Sequence, residues 1–346
     1  VTFSDTVEDD LARRDFTVNA MAYHPVRGLC DPYGGQADLR AGVIRCVGDP
    51  ATRFHEDGLR ILRAVRFAAV LNFSIDPATD RAVRDCRGLL GNIARERVRV
   101  EFDKLLMGAG CVPVLRAYPE IVAEILPEIA PCFGFRQNSR YHCYDVWEHT
   151  LAALEASVPD LAVRLALLFH DIGKPATYTE DARGGHFRGH AKVSVELAHA
   201  AMERLRYDKA TEARVLELVR IHDLPLPVED RQVKRLMMRL SDGDIERLRE
   251  VQRCDRLAHH PDYRELPPAW YSLPEKIAAI RASHACLSLR TLAVNGRDLM
   301  ALGVPPGPEI GRLLQSLLDA VVDGTLPNDR AVLLAQAEML RDVNKL

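Results

Sequence analysis

Three groups of residues carry more chemistry than a packed core requires. In the first, RRDFTVNAM at positions 13–21, Arg13, Arg14, Asp15 and Asn19 stand among Phe16, Val18 and Met21. Each charge withdrawn from water there must find a partner, at a penalty of order several kcal/mol if it does not. The second, EDGLRILRAVRFA, begins at Glu56 and places Asp57 three residues before Arg60. On one helix those two would share a face, so that a carboxylate acceptor and a guanidinium donor fork could lie edge-on to a single base. Cytosine and adenine suit such a pair, because each sets an amino donor beside an unprotonated ring nitrogen; uracil and guanine would oppose acceptor to acceptor. The plain alternative for that spacing is an exposed ion pair worth ~0.3 to 0.5 kcal/mol. In the third group, His149, His170 with Asp171, His190, His222 and Asp255 are spread over some hundred residues of chain. Imidazole and carboxylate hold divalent transition metals while leaving positions open for water and phosphate. Gly173 and Pro175 close the helix just after Asp171, which lets adjacent side chains diverge around an ion, and Lys174 could then meet a phosphate oxygen.

The order of these segments resembles a known family. RRDFTVNAM resembles motif B of the class II tRNA nucleotidyltransferases and bacterial poly(A) polymerases, DPYGG at 31–35 falls where their third motif falls, Glu56, Asp57 and Arg60 stand as their EDxxR, and ERVRVEF at 96–102 resembles their fifth motif. The resemblance implies that Arg14, Asp15 and Asn19 hold the ribose and triphosphate of an incoming nucleotide, and that Glu56, Asp57 and Arg60 belong to the segment that selects it. It implies addition of CCA to tRNA 3′ ends from CTP and ATP without a nucleic acid template; a poly(A) polymerase is the alternative within the family. Family chemistry uses two Mg²⁺ ions held by an aspartate pair on a strand that precedes motif B. Here the chain opens at Val1 with no Asp-x-Asp, and VTFSDTVEDDLA reads as the last strand and loop of the head. The expectation is an N-terminally truncated chain that binds ATP or CTP weakly and adds no nucleotide.

The third group matches the ligand order of HD-type metal-dependent phosphohydrolases. By that resemblance His149, His170, Asp171 and Asp255 bind a first ion, His190 and His222 complete a second site, and Asp171 bridges; Ni²⁺, Mn²⁺ or a similar ion would activate water for in-line attack on a phosphate ester. Asp171 and Lys174 are then the catalytic candidates. Such domains attached to tRNA nucleotidyltransferases hydrolyse 2′,3′-cyclic phosphates, 2′-nucleotides and 2′-phosphate groups. A metal-dependent phosphohydrolase whose head fragment only binds RNA is the alternative from another class. NGRDL and PPGPEIG in the last segment also resemble the C-terminal end of HD-bearing members.

The elements that must position these groups are mostly helical. The expected fold is mostly α: a C-terminal remnant of an α/β nucleotidyltransferase head at 1–48, a nucleotide-selecting and RNA-binding helical neck at 49–110, a helical connector at 111–141, a helical HD domain at 142–260 and a helical, tRNA-binding tail at 261–346. Strand-like VTF and GVIRCVG flank the head motifs, and helices are expected near 54–72, 77–90 and 94–109. Pro119, Pro127 and Pro131 break the connector into short helices. Arginines recur from Arg60 through Arg99; Arg63, Arg66, Arg97 and Arg99 are the candidates for RNA phosphates. Arg231, Lys234, Arg235 and Arg239 form a further stripe, and HPDYRELPPAWYSLPEK reads as a linker. At 346 residues, with 27% charged and 47% hydrophobic residues and a net charge of −3, the chain has the composition of an ordinary soluble protein of two or three domains. Eight cysteines without a CxxC pair point to free thiols in a reducing cytoplasm, and no apolar run approaches the ~18 residues of a membrane span. The oligomeric state is left open.

Overall fold

A computed structural model describes residues 6–182 and 184–343, most of them helical. The expected strand VTF lies outside the described residues. Of GVIRCVG, only Val43–Ile44 is strand, paired in parallel with Ser74–Ile75, and Cys46 makes one antiparallel bridge to Phe16. A short hairpin joins Ala22–His24 to Gly28–Cys30. No described helix is long and apolar enough to cross a membrane.

The described residues divide into two compact units. One runs to Asp223 and adds Glu250–Glu265; the other joins Leu224–Arg249 to the residues from Leu266 onward. Leu224–Arg249, which the sequence places inside the 142–260 segment, therefore clusters with the C-terminal residues.

In the first unit the helix expected over 54–72 is broken. Pro50–Glu56 starts on Asp49, whose side chain accepts from the Thr52 amide, with proline at the first turn. It ends at Asp57, which is extended at φ −151°, and a new helix runs from Leu59 to Leu71. Gly58 sits at the break because a Cβ there would lie 3.0 Å from the Leu89 side chain. Leu59–Leu71 buries Ile61, Leu62, Val65 and Ala68 and packs on Arg95–Leu106, whose Val98, Phe102 and Leu105 are buried in turn. Pro119 and Pro127 each open the next short helical element, Pro119–Ile125 and Pro127–Cys132, where a missing N–H costs nothing.

The histidine-bearing part of this unit consists of Val146–Glu155, Leu161–Phe169, His190–Arg204 and Lys209–Ile221. Asp145, Asp160 and Asp208 cap the first, second and fourth of these through their side chains. Leu161–Phe169 is buried at nearly every position and packs against Lys209–Ile221. A helix in that setting delivers His170 and Asp171, just past its end, to a dry interior.

In the second unit the presumed linker is largely helix, Pro268–Ala282. Leu273, Ile277 and Ile280 are its buried face, a spacing of four and three that the surrounding prolines conceal. Pro274 lies inside this helix and removes the N–H that would reach the Trp270 carbonyl. Arg249 donates to that carbonyl instead, at 3.0 Å, and Trp270 Nε1 donates to the Arg249 carbonyl at 3.0 Å. NGRDL forms a capping box: the Asn295 side chain accepts from a first-turn amide and Asp298 accepts from the Asn295 amide. Of the stripe read from 231–239, Arg235 is held in a two-pronged ion pair by Asp323, at 2.8 and 2.6 Å.

Candidate functional site

The RRDF segment and the neck meet through arginines. Arg60 Nη2 donates to the Arg13 carbonyl at 2.8 Å, Arg53 Nη1 donates to the Ala12 carbonyl at 3.2 Å, and Arg63 Nη2 lies 2.6 Å from Asp15 Oδ2. Asp15 is 7% exposed; its Oδ1 accepts from the Phe16 amide at 2.9 Å and from Asn19 Nδ2 at 3.3 Å. Two of the expected nucleotide contacts, Asp15 and Asn19, thus hold the segment's own conformation, while Arg14 stays half exposed beside Asp10. In DPYGG, Asp31 accepts from the Gly35 and Gln36 amides. A Cβ at Gly35 would fall 2.2 Å from the Thr17 carbonyl oxygen, so only glycine lets this turn press against the motif.

Asp57 and Arg60 do not share one helix face as the spacing predicts. Asp57 occupies the break and Arg60 the first turn of Leu59–Leu71, because the extended backbone at 57 restarts the helical phase. Arg60 contacts the Glu56 carboxylate at 2.7 Å and the Arg53 carbonyl at 3.2 Å. Asp57 accepts from the Leu59 amide at 3.1 Å and from Arg97 Nη2 at 2.9 Å. Burial opposes its charge, yet Arg97 and the Leu59 amide outweigh that and hold its pKa below the usual carboxylate value. Its side chain keeps one third of its surface in solvent, so both residues line the same junction with different partners.

The arginines expected on RNA divide. Arg66 is 11% exposed, bonded to Glu101 at 2.8 Å and laid over the Phe67 ring at 3.5 Å; Arg63 spans Asp15 and Glu101. Both are internal braces rather than the solvent-facing positions the charge run suggests, because Glu101, 5% exposed, needs the compensation. Arg97 is more than half exposed on Asp57, and Arg99 lies 5.5 Å from the Tyr207 ring centre.

All six expected metal ligands converge. His149 Nε2 lies 2.9 Å from Asp255 Oδ1 and 3.4 Å from His170 Nε2; His190 Nε2 lies 3.2 Å from His222 Nε2. Asp171 divides its oxygens: Oδ2 is 3.2 Å from His170 and 3.5 Å from His149, and Oδ1 is 3.3 Å from His190 and 3.9 Å from His222. On every one of the four imidazoles the other nitrogen, Nδ1, faces a backbone carbonyl: Ala258 at 3.3 Å, Leu167 at 2.6 Å, Phe187 at 3.0 Å and Val219 at 2.7 Å. With Nδ1–H donating outward, a neutral ring aims its Nε2 lone pair inward, and four such lone pairs with two carboxylates fit cations. The ligand atoms fall into two compact groups, His149, His170 and Asp255, and Asp171, His190 and His222.

Burial opposes a charge on His170, yet Asp171 and Asp255 outweigh it and pull its pKa up to about 10. His222 is pushed down to about 4, by burial and by the charge on His170. An ion entering the His170 group must displace that proton. Metal uptake at pH 7 is therefore expected to release about one proton, and metal affinity to rise as the pH rises toward 10. Calorimetry in buffers of different ionisation enthalpy measures the release; uptake with no proton released contradicts it.

Lys174 stands 2.6 Å from Asp171 Oδ2 and 2.8 Å from Gln137 Oε1. Gln137, His142 and His259 escape a reading of the sequence, since each stands in an aperiodic stretch with no motif around it. His142 stacks on His259 at 4.6 Å and meets His149 edge-on at 5.0 Å. A pocket of about 970 Å³ opens over Asp171, Lys174, His190, His222 and Asp255, with Arg140 and Arg188 on its lining.

Comparison with known proteins identifies the family. Residues 1–45 match the poly A polymerase head domain, 72–132 the RNA and SrmB-binding site of polymerase A, and 189–337 tRNA nucleotidyltransferase domain 2. The chain is 36% identical to the A-adding tRNA nucleotidyltransferase of Deinococcus radiodurans, over 92% of this chain and 76% of that protein. It is 37% identical to the CC-adding tRNA nucleotidyltransferase of Thermus thermophilus, over 95% and 77%. Its fold is similar to the crystal structure of the Bacillus stearothermophilus CCA-adding enzyme in complex with CTP, with a TM-score of 0.68, 26% identity and coverage of 99% of this chain and 76% of that one. Motif order, junction geometry and these relatives together place the chain in the tRNA nucleotidyltransferase family that includes the CCA-adding enzymes.

Proposed function

We propose that this chain works in adding nucleotides of the CCA terminus to tRNA, drawing on CTP and ATP with Mg²⁺, and that Asp57 and Arg60 select the base. The observation that carries this reading is the junction itself. Arg60 is fixed against the Arg13 carbonyl while Asp57 keeps a third of its side chain in solvent, paired with an arginine that is itself more than half exposed, so a base can compete for the carboxylate. A guanidinium donor and a carboxylate acceptor beside the RRDF segment match the edges of cytosine and adenine. The reading predicts that Asp57→Ala reduces the preference for CTP over UTP by about tenfold, in line with ~1 to 3 kcal/mol for a good paired contact to a base edge. Competition binding of the four nucleoside triphosphates measures it, and an unchanged preference would sink the assignment. Supplying tRNA lacking its 3′ end with ATP alone, against CTP plus ATP, separates CCA addition from poly(A) synthesis in a polypeptide that also carries the aspartate-bearing strand, and any incorporation by the present chain overturns the expectation that it adds no nucleotide.

A second activity is favoured by the two histidine groups. Divalent transition ions held there would supply Lewis acidity to a phosphate ester and a water of lowered pKa. His149, His170 and Asp255 would hold one ion, His190 and His222 the other, and Asp171 would present one oxygen to each. Arg140 and Arg188 stand at the pocket to meet substrate charge, and the 2′,3′-cyclic phosphate of an RNA end is the proposed substrate. Hydrolysis with Mg²⁺, Mn²⁺ or Ni²⁺ by the wild type is compared with that of His170→Ala combined with Asp171→Ala; equal rates would remove this activity.

A further inference from the structure

Lys174 is not the free phosphate ligand that its place after His170 and Asp171 suggests. It is 5% exposed, and two of its contacts are taken: Asp171 Oδ2 at 2.6 Å and Gln137 Oε1 at 2.8 Å. An ammonium has three donors. The bond to Gln137 and the ion pair with Asp171 together restrain the ammonium, and Lys174 lines the same pocket as Asp171, His190, His222 and Asp255.

Gln137 is 2% exposed and has both ends of its amide engaged: Oε1 accepts from Lys174, and Nε2 donates to the Tyr144 carbonyl at 3.2 Å. The strap that carries it is set by close backbone packing. The Gly185 amide donates to the Asn138 carbonyl at 2.7 Å, and a Cβ at Gly185 would fall 2.3 Å from the Gln137 carbonyl oxygen. Glycine there lets the hairpin of Thr179–Asp181 and Gly184–His186 press the segment around Gln137 inward until its side chain reaches the lysine. A buried glutamine so placed is neutral, so it directs the lysine without competing for its charge as a carboxylate would.

We infer that Gln137 is a positioning residue: it holds Lys174 against Asp171 so that the remaining N–H of the lysine points at a phosphate oxygen in the pocket. The inference rests on the reading of that pocket as a phosphoester site. Its probe is inorganic phosphate, the product of such a reaction, titrated into the full chain loaded with Mn²⁺ and, separately, into the ion-free chain. Gln137→Leu is expected to weaken phosphate binding about tenfold, and Lys174→Met at least as much, the scale of one charge-assisted hydrogen bond. The decisive measurement is the double variant. Because Gln137 acts only through the lysine, Gln137→Leu added to Lys174→Met costs nothing further. Mn²⁺ content and melting temperature stay at wild-type values in Gln137→Leu; if that variant does not fold, Gln137→Met, which keeps the chain length without the amide, replaces it. Wild-type phosphate affinity in Gln137→Leu, additive losses in the double variant, or loss of Mn²⁺ in step with phosphate would each overturn the role. Failure of the wild type to take up any ion would instead sink the metal-site reading, and the ion-free titrations would still decide the fate of Gln137.

Discussion

Asp171→Asn is expected to leave the protein folded and to abolish metal uptake at both histidine groups. Asp171 is 1% exposed and holds its two oxygens toward different histidine pairs, Oδ2 toward His149 and His170, Oδ1 toward His190 and His222. Asparagine has the same shape but no charge, and its NH₂ group must face one of those pairs as a donor where an acceptor stood. Removing even a residue that only orients a ligand lowers metal affinity ~10- to 100-fold, so loss of a shared ligand is expected to exceed about a hundredfold at each group. His190→Ala supplies the contrast. It deletes a ligand of one group alone and is expected to leave about one ion per chain where the wild type holds about two. Elemental analysis of the purified proteins after dialysis against Mn²⁺ or Ni²⁺ reads both results. Two ions retained by Asp171→Asn would show that the carboxylate does not link the two groups, and none retained by His190→Ala would show that the groups do not fill separately.

The histidines and aspartates that converge were the most legible part of the chain because imidazole and carboxylate at a particular order have few other uses in an apolar interior. What made them legible also marks the limit: the spacing of His170 and Asp171 says nothing about which backbone carbonyls receive the Nδ1 protons, and those carbonyls set where the lone pairs point. Gln137 carries no comparable signature, since a glutamine between Arg136 and Asn138 reads as a polar loop until the fold brings Lys174 to it. Where the RRDF segment meets Asp57 and Arg60 the residue types were legible and the helical phase was not. The break at Asp57 depends on how closely Gly58 approaches Leu89, 31 residues later, which is a tertiary contact. The helix Pro268–Ala282 was hidden for a related reason: Pro274 argues against a helix interior unless another donor, here Arg249, takes the orphaned carbonyl.

Glu101→Leu is expected to destabilise the neck by ~3 kcal/mol or more, the scale of breaking a buried ion pair by removing one partner. Glu101 is 5% exposed at the centre of a charge array: Arg66 at 2.8 Å, Lys104 at 3.6 Å and Arg63 at 3.8 Å, with Arg63 passing on to Asp15. Without the carboxylate, Arg66 keeps an 11% exposed guanidinium over the Phe67 ring with no acid to offset its desolvation. Arg97→Ala offers the opposite case, since Arg97 meets Asp57 at the surface and exposed pairs contribute ~0 to 1 kcal/mol; its effect on unfolding is expected to be small. Denaturant unfolding with Glu101→Leu, Arg97→Ala and Glu101→Leu combined with Arg66→Met tests the whole arrangement. The combined variant recovers much of the loss, because two apolar side chains of similar volume replace a pair whose attraction is spent largely against its own desolvation. If Glu101→Leu alone unfolds within ~0.5 kcal/mol of the wild type, the arginines around Glu101 are solvated in solution and free for RNA phosphates, and the neck is held by Leu62, Val65 and Phe102 without electrostatic help.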